Sequence, residues 1–231
     1  MAHAVPNEAW LGKASWFAGA AAAILLAIAS LRYIPGFGPL PPKIVANAFA
    51  LPWLPIHVAA SATALLVGSF QFLGGLRGRR PYVHRWAGRI YVAGCMVGGV
   101  SGLVLAFGTT MGQVTTAGFG ILAPIWLVVT GLGWQRARQG RYVEHRRWMI
   151  RSWALTFAAV NLRLYLGIAF ALGIPFEQSY PLISFLCWVP NLILAEICLR
   201  GALQRGWGGI RTLASVAWVG GEGAAIRSGW R

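Results

Sequence analysis

Apolar residues run in six long stretches, near 14–33, 52–75, 86–107, 115–135, 148–172 and 180–199, each about the 20 residues a helix needs to cross hydrocarbon. The pattern predicts an all-α polytopic membrane protein, a six-transmembrane-helix bundle. It forms one domain over residues 1–200, and a basic tail over 201–231 follows. Short connections make consecutive spans antiparallel neighbours. The exception is 34–53, where Pro35, Pro39, Pro41, Pro42 and Pro52 block helix continuation and predict an ordered loop. The first stretch reads as a retained anchor rather than a cleaved signal. In the tail, Leu203, Trp207, Ile210 and Leu213 at helical spacing predict a short helix lying on the membrane surface.

Charge adds sidedness. The gap after the second stretch holds Arg77, Arg79, Arg80 and Arg85, the gap after the fourth holds Arg136, Arg138, Arg141, Arg146 and Arg147, and Arg200, Arg205 and Arg211 follow the sixth. The alternate gaps are poor in positive charge. By the positive-inside rule both termini are cytoplasmic and the protein is expected in a plasma membrane. The net charge of +15 therefore reads as a topology signal and as contact with membrane lipids. It is not taken as a nucleic-acid footprint. Cys95, Cys187 and Cys198 all fall inside stretches, as free thiols packed like small apolar residues.

Candidate chemistry is confined to a few polar residues inside the spans. His57, His84 and His145 each head a stripe of small residues at helical spacing. These run through Ser61, Ala64, Gly68 and Gln71, through Gly88, Cys95, Gly98 and Gly102, and through Ser152, Thr156 and Ala159. Such stripes admit either a neighbouring helix or a flat cofactor. His84 and His145 share a level on spans three and five, so they are candidate axial ligands of one haem b. Gln71, Arg89, Arg151 and Glu196 fall at one depth near the arginine-rich side. Charged groups there must pair or reach the interface. Either an ion network locks the bundle, or the layer handles protons or a quinone head. His57 and Arg163 form a second pair in the other half, with Asn161 and Asn191 nearby. There His57 is either a structural hydrogen-bonding group or a ligand for a quinone, haem or anion. Arg163 lies on the face of His145, about 27 Å along the helix.

With these residues in view, the chain resembles the bacterial predicted-membrane-protein family DUF2306 over roughly residues 50–200. The likeness rests on His57 to Gln71-Phe72, on His84-Arg85-Trp86-Ala87-Gly88-Arg89-Ile90-Tyr91, and on His145-Arg146-Arg147-Trp148-Met149-Ile150-Arg151-Ser152 through Thr156-Phe157-Ala158-Ala159 and Leu162-Arg163. Trp188, Asn191-Leu192 and Ala195-Glu196 fit as well. That resemblance implies a membrane-embedded fold and assigns no activity. A more distant, architectural likeness is to the six-helix di-haem cytochrome b-561 superfamily. It implies a bis-histidine pairing between spans three and five, which His84 and His145 match, and a second between spans two and four. The fourth span has no histidine, only Ala123, Pro124 and Trp126, so it departs from the second pairing.

No phosphate-binding glycine loop, zinc-type cluster or carboxylate pair is present, and the residues name no reaction. The sequence reading is therefore a cytochrome-b-like electron-transfer component that binds haem or quinone, with a redox or membrane-complex partner. The other reading is a non-catalytic membrane subunit whose polar layers lock helices or bind lipid.

Overall fold

The computed structural model describes residues 8–34, 42–72 and 78–204. Six helical spans are long and apolar enough to cross a membrane. They are built from α1 (Glu8–Ser30), ending in a 3-10 turn over Leu31–Tyr33; α3 (Ala50–Gln71); α4 (Pro81–Phe107); α5 (Gln113–Arg138); α6 with α7 (Tyr142–Thr156, Ala158–Ala171); and α8 with α9 (Phe176–Leu186, Val189–Gln204). A short helix, α2 (Pro42–Val45), lies in the proline-rich connection. Of the surface helix expected in the tail from residue 201 onward, 201–204 continue α9, and the rest, with Trp207, Ile210 and Leu213, lies outside the described residues.

Two spans are interrupted, each with a local cause. Pro190 sits at the second position of α9; it has no N–H to offer the turn before it, and the chain restarts after Cys187 and Trp188. In span five the ladder stops at Phe157, directly after Thr156 donates its hydroxyl to the Ser152 carbonyl at 2.9 Å. Such back-bonding by Ser or Thr bends helices. Inside a membrane a released carbonyl needs a protein partner. Asn191 Nδ2 in α9 supplies one, donating to Ala154 O at 3.1 Å.

α3 and α4 are the most closely paired helices, and the small stripes explain why. A β-carbon added at Gly94 would lie 2.9 Å from Ala60 O, one at Gly98 2.6 Å from Ser61 Oγ, and one at Gly102 3.0 Å from His57 Cε1. At Gly68 it would collide with Trp153 and Tyr91, while Gly88 faces Gln71 Oε1 at 3.5 Å. Each step of three or four residues along α3 is thus matched by the same step back along α4, as in small-residue helix packing. The stripe on span three was expected to face span five across a cofactor; it faces span two. Periodicity identifies a face, and the missing side chains were filled by the nearest antiparallel backbone.

The main core gathers Ala64, Tyr91, Cys95, Trp126, Val129, Leu155, Cys187 and Trp188 from spans two to six. Span five's first half, α6, packs against α3, α5 and α9. Its second half, α7, lies between α1 and α8.

Candidate functional site

Three polar layers cross the bundle. Near the arginine-rich end, Arg151 forms a bidentate pair with Glu196, its Nε on one carboxylate oxygen and its Nη2 3.0 Å from the other. The Arg151 guanidinium also lies over the Trp148 ring, 4.9 Å from its centroid. The expected partnership of Glu196 with an arginine is therefore present, and Arg151 provides it. Arg89 does not join. It is exposed and its guanidinium stacks on Trp86 at 4.7 Å, because one residue beyond Gly88 turns it about 100° off the stripe. Gln71 is held against Gly88 instead.

The two expected haem ligands lie at this end as well. His145 Nδ1 is 2.8 Å from the carbonyl of Gly133 in α5. A carbonyl can only accept, so Nδ1 carries the proton. That arrangement orients the ring and places the acceptor lone pair on Nε2. His84 is half-buried at the start of α4. Two helical turns inward from both histidines, Tyr91 reaches from α4 to α6, its hydroxyl 2.8 Å from Ser152 Oγ and 2.9 Å from Thr156 Oγ1. The space between spans three and five at that depth is filled by a buried phenol.

Tyr91 anchors the middle layer, in which every hydroxyl has a determined direction. Thr156 Oγ1 spends its proton on Ser152 O and so accepts from Tyr91 and from Trp126 Nε1 at 3.0 Å. Tyr91 must then accept from Ser152, and Ser152 from Thr130 Oγ1 at 2.7 Å. The chain begins at a threonine and ends on a backbone carbonyl. Its bonds tie spans three, four and five to one another, which makes it a lock between them. The sequence reading missed Tyr91, Thr130 and Trp126. Their signal was a tyrosine on a face of glycines at the depth of Ser152 and Thr156.

The third layer lies in the other half and is built differently. His57 Nδ1 donates to Gly98 O at 2.9 Å, which again leaves Nε2 of the neutral ring as an acceptor. Asn161 Nδ2 donates to Asn191 Oδ1 at 2.6 Å, and Asn191 Nδ2 reaches Ala154 O and Cys187 O. The asparagines are thereby consumed in fastening the span-five break. Arg163, two residues further along α7, is exposed, and among the described residues no carboxylate pairs with it. It lies about 12 Å from the end of its span at Ala171. Around it stand His57, Tyr33, Tyr180 and Cys187, near enough to be coupled to it electrostatically. Tyr180 is stacked on Phe176 at 4.6 Å and packs against Phe119. The structure thus brings His57 and Arg163 into one region, as expected, and adds two phenols that the sequence did not point to. Beyond this layer the segment after α2 is clasped to the end of α4. Asn47 Nδ2 donates to Leu105 O at 2.8 Å and Ala48 N to Gly108 O at 2.9 Å.

No curated protein and no solved structure matches the chain. A family model does match, over residues 54–199, from just before His57 through Glu196, which takes in the three layers apart from Tyr33. The chain belongs to the predicted membrane protein family DUF2306.

Proposed function

We propose that the protein is an electron-transfer component of the bacterial inner membrane, with the arginine-rich end and both termini in the cytoplasm, and that its His57–Arg163 layer binds a quinone head group. The observation that carries this is Arg163: a cation set well inside a span, exposed, with no counter-ion among the described residues. An uncompensated charge at that depth costs several kcal/mol, so a group that offers it electron-rich oxygen is favoured. A quinone carbonyl accepts from the guanidinium. In the reduced form, the quinol, both oxygens carry hydrogen, and His57 Nε2 accepts from the hydroxyl at the other end of the ring, with Tyr33 and Tyr180 flanking it with aromatic surface. Arg163 lies in α7 between spans one and six, so the ligand would reach it from the lipid.

Quenching of the chain's tryptophan fluorescence by a short-chain quinone, in detergent micelles, tests the reading. Saturable binding is expected, weakened about tenfold or more in Arg163→Gln by loss of a charged hydrogen bond. Equal binding by both proteins would overturn it and leave a subunit whose polar layers only join helices. Sidedness is tested by reporter fusions, with Gly112 and Gln178 expected outside and Arg79 and Gly140 inside.

A haem b at His84 and His145 is the second reading, favoured by the Nδ1 bond that orients His145 and opposed by Tyr91 in the space below. Its test is the visible spectrum of the purified protein. A split alpha band on reduction supports it, and a colourless preparation removes it.

A further inference from the structure

At the start of α4, Tyr82, Arg85, Trp86 and Arg89 all lie on one exposed arc of the helix. Tyr82 meets Trp86 edge-on at 6.2 Å, and Trp86 in turn carries the Arg89 guanidinium at 4.7 Å. The rings thus hold one of the two cations in place rather than leaving it to snorkel freely. Span three contains no acidic residue, and among the described residues no carboxylate pairs with Arg85 or Arg89. Further along the same face the exposed residues turn wholly apolar: Ile90, Ala93, Val97 and Val100. Positive head and apolar track are therefore joined on one surface, with the track reaching about 16 Å beyond Arg89.

We propose that this face is a seat for an anionic phospholipid, its phosphate between Arg85 and Arg89 and one acyl chain along Ala93, Val97 and Val100. Guanidinium groups bind phosphate oxygens through paired, charge-assisted hydrogen bonds, and tryptophan and tyrosine favour the headgroup level. A soluble phosphate would satisfy the arginines but leave the apolar track without use. The track is what commits the occupant to a lipid. Arg79 and Arg80, which precede α4, add charge to the same end. They serve as the control for charge alone.

Native mass spectrometry of the full chain, titrated with phosphatidylglycerol and separately with phosphatidylcholine, reads the seat directly. The unmutated protein is expected to retain phosphatidylglycerol with about thirtyfold preference, at about fivefold for each arginine near the surface. Arg85→Gln with Arg89→Gln is expected to abolish that preference, while Arg79→Gln with Arg80→Gln keeps most of it. Equal retention of the two lipids by the unmutated chain would overturn the proposal, and that measurement needs no variant to fold. Equal loss in the two double variants would also overturn it, since it would assign the effect to diffuse charge. Displacement of the lipid by inorganic phosphate at equal concentration would refute the part played by the apolar track.

Discussion

The middle layer around Tyr91 and the layer around Arg163 are both polar, both inside the membrane spans and both carried on span five, yet they are finished in opposite ways. In the first, five side chains from three spans exhaust one another's donors and acceptors, and the chain closes on Ser152 O. In the second, Arg163 and the acceptor nitrogen of His57 have no such closure among the described residues. A satisfied buried network rigidifies and specifies one arrangement. An unfinished one in a low-dielectric setting is costly, and it persists where something outside the chain completes it. Polarity inside a membrane protein is thus ambiguous until its partners are counted.

The contrast is broken or sharpened most strongly at the arginine-rich end, which belongs with the closed type. Glu196→Ala leaves Arg151 without its carboxylate and should destabilise the protein by about 3 kcal/mol, the low end for breaking such a pair, because the partners are 21% and 32% exposed. Thermal unfolding followed by tryptophan fluorescence in detergent would show it; an unchanged midpoint would mean that the pair contributes no more than a surface ion pair.

Tyr91→Phe removes the hydroxyl that joins α4 to α6 and should cost about 1–2 kcal/mol. The cycle with Ser152→Ala should show coupling of at least about 0.5 kcal/mol. Additive losses would dissolve the network into independent bonds.

Arg163→Gln marks the opposite pole. Removing a cation that has no carboxylate partner among the described residues should leave the protein at least as stable as before, since an uncompensated charge at that depth is itself costly, while quinone quenching falls. A large loss of stability with binding intact would move Arg163 into the closed class and end the comparison.

What could be read from residues alone follows the same division. Glu196 was legible because it is an acid inside a predicted span, and a carboxylate there has few ways to be satisfied. His57 with Arg163 was legible from depth, which helical rise supplies. Arg89 was misplaced because depth alone was used for it; rotation about the axis, read from the neighbouring Gly88, points it outward. The Tyr91 network was hidden for a different reason. Its members come from three spans, and no periodicity within one helix says which other helix its face will meet. The interruption at Phe157 had a signal in the i, i+4 hydroxyls of Ser152 and Thr156, but it took Asn191 from another span to make the break affordable.

The matched glycine register between α3 and α4 also implies a sequence of events in time. These helices are consecutive in the chain and approach one another closely at their glycines, so that contact requires nothing from the later spans. A nascent hairpin of this kind can settle into register as soon as its second arm enters the bilayer, since nearby contacts close early. Span five arrives only after span four, and it brings the hydroxyls that receive Tyr91 and the indole of Trp153 that lies over Gly68. The early hairpin thus serves as a mould against which the latecomer is shaped, and an error in its register would surface as a tyrosine with no socket.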